Sequence, residues 1–235
     1  MNNIYLTQEM KKILIYFLLL TGTSLSAFAQ KDSEARAILN KVSAKYHAYN
    51  IVKSDFTIVV DDPQGGTTQT QKATLIVQAK TNKYKLTMYS ADPTQKNVVE
   101  QEITSDGKSQ WTYLKKDKEV QLNNVDHSDE TFNPAQMFTL YEKGFKYIYT
   151  GDKIEKGKTY QVIDLTPEDI NKQFFKVRLM IDKVQKQLHS ALIFDKSGMK
   201  YSYTVNTLTP NVNVPESIFT YDKKLHPGVE VVDLR

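Results

Sequence analysis

Phe175-Lys176-Val177-Arg178-Leu179-Met180-Ile181 sets an apolar residue at every second position, with Lys176 and Arg178 between the first three. That is the period of a strand with one face in a core and the other in water. Working outward, the same period recurs at Phe56/Ile58/Val60, Leu75/Val77/Ala79, Tyr84/Leu86/Met88, Phe145/Tyr147/Tyr149 and Met199/Tyr201/Tyr203/Val205. Turn-forming clusters such as Asp62-Pro63-Gln64-Gly65-Gly66 and Asp195-Lys196-Ser197-Gly198 separate the runs, as expected of hairpins. The pattern predicts eleven or twelve strands in one strongly curved antiparallel sheet, an incomplete β-barrel of mostly β, α+β class. Something must cover its greasy face, and any part left uncovered is a candidate site for an apolar ligand.

Two helices are predicted to supply the cover, lying on the concave side. In the first, Ala35, Ile38, Leu39, Val42 and Tyr46 fall at helical spacing while Arg36, Asn40, Lys41 and Lys45 face out. In the second, Asn133-Pro134 offers a cap and a first-turn proline, and Gly144 closes the segment. Met137, Phe138 and Tyr141 lie between and are expected to act as a lid. The residues expected to line an apolar cavity are Phe56, Ile58, Leu75, Val77, Leu86, Met88, Trp111, Tyr113, Leu179, Ile181, Leu192, Tyr201 and Tyr203.

The first residues read as an address. Lys11 and Lys12 precede the apolar run 13–20, and Ala27-Phe28-Ala29 offers small residues at a cleavage position. A cut after Ala29 leaves a single domain over residues 30–235 and sends it to the periplasm. The apolar run is much shorter than the roughly 20 residues a spanning helix needs. The chain has no cysteine, which excludes a thiol nucleophile, a disulfide framework and a lipid-bearing cysteine. A formal net charge of +4 spread among interleaved acids lacks the concentrated basic stripe of a nucleic-acid binder.

Catalytic chemistry finds little support. His47, His127, His189 and His226 are scattered, with no carboxylate or second histidine at metal-ligand spacing. The acid pairs Asp61-Asp62 and Glu168-Asp169 stand beside turns, where solvated carboxylates are common. Neither an enzyme nor a cofactor or metal is expected.

Several segments together resemble the LolA-type outer-membrane lipoprotein carrier family. The best match is Ser105-Asp106-Gly107-Lys108 followed by Trp111-Thr112-Tyr113. Ser54-Asp55-Phe56-Thr57, the Asn133-Pro134 helix, Phe174-Phe175 and the stretch from Pro215 to Tyr221 with Gly228-Val229-Glu230-Val231 also fit. The resemblance implies an unclosed barrel with a helical lid. It also implies a shuttle of acylated lipoproteins from an inner-membrane exporter to an outer-membrane acceptor; a monomer is expected. The family often places an arginine and a proline before the third strand, where the arginine holds the lid. Here Ala79-Lys80-Thr81-Asn82 puts Lys80 in the latch position; lysine keeps the charge without the planar two-bond fork. Alternatives left open are a binder or sensor of other lipids on the same fold, and an exported hydrolase.

Overall fold

A computed structural model of the protein describes residues 32–95, 97–125 and 136–235. The leader with its cut after Ala29 and the Asn133-Pro134 helix start lie outside the described residues.

Helix α1 covers 32–47, and Ala35, Ile38, Leu39, Val42 and Tyr46 are all buried, as their spacing requires. Twelve strands follow among the described residues: β1 Ile51–Asp62, β2 Thr67–Gln78, β3 Lys83–Tyr89, β4 Val99–Asp106, β5 Ser109–Leu114, β6 Glu119–Asn124, β7 Phe145–Glu155, β8 Lys158–Pro167, β9 Phe174–Asp182, β10 Gln187–Asp195, β11 Lys200–Pro210 and β12 Glu230–Asp233. They form one curved, unclosed sheet in the order β12-β6-β5-β4-β3-β2-β1-β11-β10-β9-β8-β7. All neighbours are antiparallel except β12 and β6. A long connection of this kind is what a parallel pair needs.

The register fixes which side chains share a face. Leu75, Leu86, Ile103 and Thr112 stand abreast on β2 to β5. Ile58, Tyr203, Ala191, Leu179, Ile163 and Tyr149 stand abreast from β1 across to β7. With Phe56, Val77, Tyr84, Leu165, Val177 and Ile181 they make one apolar side, the core face, and the apolar stripe of α1 belongs to the same cluster.

Phe175 breaks the pattern that its own strand announces. Pairing slips between Phe194 and Asp195, so Phe174 joins the core while Phe175 is 51% exposed beside Phe194, with ring centroids 6.1 Å apart. A one-residue slip turns a side chain to the other face.

The second expected helix is a correction. Residues 137–139 form a turn, and Leu140–Glu142 is a single 3-10 turn. Phe138 in the turn and Tyr141 in the 3-10 helix are both buried.

Candidate functional site

Where α1 meets residues 137–142, the core face has its only non-sheet cover among the described residues. Phe138 lies between Tyr46 of α1, 5.0 Å between centroids, and Phe56 of β1, 6.1 Å. Tyr147 Oη donates to the Tyr141 carbonyl at 3.0 Å. Arg36 stacks its guanidinium over the Tyr147 ring at 5.4 Å.

Polar contacts close the rim of this seam. Glu142 Oε1 accepts from Ser43 Oγ at 2.5 Å and meets His47 Nε2 at 2.8 Å. Lys45 Nζ donates to the Gln185 carbonyl at 2.7 Å, tying α1 to the β9–β10 turn. Lys80 is exposed in the turn after β2, one residue beyond Ala79, whose amide donates to the Asn50 carbonyl at 2.9 Å. Among the described residues the polar ties across the seam come from Glu142, Ser43 and His47.

The seam is closed. Between Val42, Tyr46, Phe138, Leu188 and Leu208 it leaves about 10 Å³, room for about one water. Here α1, Phe138 and Tyr141 cover part of the face that the sequence leaves uncovered.

Ten of the thirteen expected lining residues share the core face. Phe56, Leu75, Val77, Leu179 and Ile181 are buried. Ile58, Leu86, Met88, Tyr201 and Tyr203 are half-buried on the same side. Trp111, Tyr113 and Leu192 are not with them. Trp111 pairs with Thr104, which pairs with Lys85 and so with Ile76, a row of the opposite face. Tyr113 follows Trp111 by two. Leu192 stands beside Arg178 and Ser202, and Arg178 holds Asp164 by two bonds of 2.7 and 2.8 Å.

On that opposite face the chain beyond β11 makes a second cover. The 3-10 turn Glu216–Phe219 lies on β3 and β4 and buries Phe219. A cleft of about 270 Å³ remains, with Trp111, Tyr113, Lys85, Glu102, Tyr221 and His226 among its walls. The His226 ring sits 4.5 Å from Tyr113 and 5.2 Å from Tyr221. Its Nε2 is 3.8 Å from Glu102 Oε2, and Lys85 Nζ is 2.9 Å from Glu102 Oε1. Sequence reasoning missed this arrangement, although the two-residue turn Gly107-Lys108, with Gly107 at φ +93°, already pairs Thr104 with Trp111.

The acid pairs serve turns. Asp62 Oδ1 accepts the Gln64 and Gly65 amides at 3.0 and 2.9 Å, and Asp169 Oδ1 accepts the Asn171 amide at 2.8 Å. Among the described residues no group of three His, Asp or Glu side chains could hold a metal ion, and no helix is long and apolar enough to cross a membrane.

Among curated proteins none matches the chain in sequence. An uncharacterized conserved protein from Thermus thermophilus superposes with a TM-score of 0.56 at 11% identity, covering 85% of this chain and 99% of that one. A putative outer membrane lipoprotein-sorting protein domain from Vibrio parahaemolyticus gives 0.48 at 13% identity over 83% and 98%. A LolA superfamily protein from Nitrosomonas europaea gives 0.45 at 13% over 80% and 98%. The first of these likenesses supports the fold. The sequence model described as outer membrane lipoprotein carrier protein LolA matches residues 47–222, from the end of α1 through the second cover. The chain belongs to the LolA family of outer-membrane lipoprotein carrier proteins.

Proposed function

We propose that the protein, exported by a leader cut after Ala29, carries acylated lipoproteins through the periplasm from an inner-membrane exporter to an outer-membrane acceptor. Acyl chains enter on the core face, the concave side in this reading, as α1 and residues 137–142 part. Phe56, Ile58, Leu75, Val77, Leu86, Met88, Leu179, Ile181, Tyr201 and Tyr203 receive the chains, with Met137, Phe138 and Tyr141 as the moving cover. The observation that carries the reading is the seam itself: in a chain of this family, the apolar core face is covered, among the described residues, by one helix and one short turn rather than by a second sheet.

Magnitudes favour opening. Sheltering a chain of ~16 carbons is worth about 12 kcal/mol, at ~0.8 kcal/mol per methylene. Exposing Phe138 and Tyr141 costs about 1.5–3 kcal/mol each. The hydrocarbon of the guest outweighs these two side chains, and its apolar contacts have no directional bonds to break at release.

The purified protein is expected to take up a fluorescent fatty-acid analogue. Phe138→Glu should weaken uptake about tenfold or more, because a carboxylate in that apolar site must stay unpaired. Circular dichroism that still reports the sheet shows the variant folded, and undiminished uptake in a folded variant would count against the seam as the entrance. Depletion from cells should strand lipoproteins in the inner membrane, read by membrane fractionation. Unchanged sorting together with uptake would leave a binder of other lipids on the same fold.

A further inference from the structure

Three tyrosines on the core face have paired hydroxyls. Tyr84 Oη donates to Gln110 Oε1 at 2.6 Å, Tyr147 Oη to the Tyr141 carbonyl at 3.0 Å, and Tyr149 Oη to Asp152 Oδ1 at 2.6 Å. Tyr46 and Tyr141, at the seam, differ. Their side chains belong to residues 4% and 2% exposed, and neither Oη has a hydrogen-bond partner among the described residues. The neighbouring carboxylate oxygen, Glu142 Oε1, is engaged by Ser43 and His47.

Both phenols are neutral donors. Burial pushes the Tyr46 hydroxyl well above the ordinary tyrosine range, with the Glu142 charge adding to it. Burial does the same to Tyr141, with Glu142 and then Tyr46 adding to it. The two hydroxyls therefore sit in each other's field and in that of one carboxylate. A phenylalanine would fill the same space without an orphaned group, and the same cluster uses phenylalanine at 56, 138 and 145. An unpaired buried donor destabilises the closed, empty form. It becomes favourable only when something entering the seam brings an acceptor.

We infer that Tyr46 and Tyr141 are a head-group subsite, two O–H donors that receive the ester carbonyl oxygens of a diacylglyceryl guest once its chains lie under the cover. The inference rests on the carrier reading and names the part of the guest that reading leaves undefined. Hydrocarbon offers nothing to a donor. A carboxylate would bring a second negative charge beside Glu142, which like-charge repulsion disfavours. An ester carbonyl is neutral and accepts only, so it matches both hydroxyls.

The test compares an ester-linked fluorescent diacylglycerol with its ether-linked analogue, which has the same chains and lacks the carbonyls. The native protein is expected to bind the ester about tenfold more tightly, the effect of one to two net hydrogen bonds. Tyr46→Phe/Tyr141→Phe should bind both at the native ether affinity. Without ligand the double variant should melt no lower than the native protein, and up to about 4 °C higher, since it loses only unpaired groups. Equal native affinities for ester and ether, a preference that survives the double substitution, or a fall in Tm of more than about 5 °C would each overturn the subsite while leaving the carrier reading intact. Binding of neither analogue would overturn both.

Discussion

Phe56→Ala is expected to lower the unfolding free energy by about 3–5 kcal/mol, the range for emptying a buried aromatic site, whereas Phe175→Ala changes it by about 0.5 kcal/mol or less. Both residues are phenylalanines on alternating strands, yet one is 1% exposed and the other 51%. Phe56 stacks on the cover through Phe138 and stands at the slip in pairing between β1 and β11, opposite Val205. Nothing nearby can collapse into the space without moving the sheet or the cover. Urea unfolding of the two variants with matched m-values measures the difference. Equal losses would mean that the slip at Phe194/Asp195 does not turn Phe175 outward, and the assignment of faces would fail with it.

Tying the seam shut should abolish uptake of acyl chains. Because the chain has no cysteine, Ser43→Cys/Glu142→Cys places the only two thiols on opposite sides of the seam, at positions whose side chains already touch. Joined by a short bifunctional maleimide, the pair should bind a fluorescent fatty-acid analogue at least about tenfold more weakly than the same variant left unjoined, since the conformation able to bind is withdrawn from the equilibrium. The unjoined variant is the control for the lost Glu142 contacts, and is itself expected to take up the probe at least as readily as the native protein. Full uptake by the joined form would mean that chains enter elsewhere, and the cleft beside Trp111 would then be the place to look.

The strands are legible in the sequence because alternation survives in almost every one of them, from Phe56/Ile58 to Tyr201/Tyr203. Alternation says that a strand has two faces; it does not say which face of one strand continues which face of the next. That relation is set by register, and register depends on turn lengths and slips that leave little trace in composition. Periodicity alone places Trp111, Tyr113 and Leu192 on the wrong side for that reason. Only the Gly107-Lys108 turn carries a usable sign, since it sets polar Thr104 against Trp111. The short cover misleads differently. Met137, Phe138 and Tyr141 suggest a helical stripe, but a spacing of three suits a 3-10 turn as well as an α-helix. The core face itself is readable, whereas its filling is not, because how far α1 and Phe138 reach into it is a matter of packing.

A cover that fits its own sheet so closely, leaving about 10 Å³, acts as a rival to any guest. The rings of Phe138 and Tyr141 and the tail of a passenger compete for the same dry ground, so each unit of binding is measured against the protein's own rebound. For a carrier as proposed, discharge then needs no separate machinery inside the molecule: whatever loosens the passenger lets the spring-back of residues 137–142 complete its expulsion.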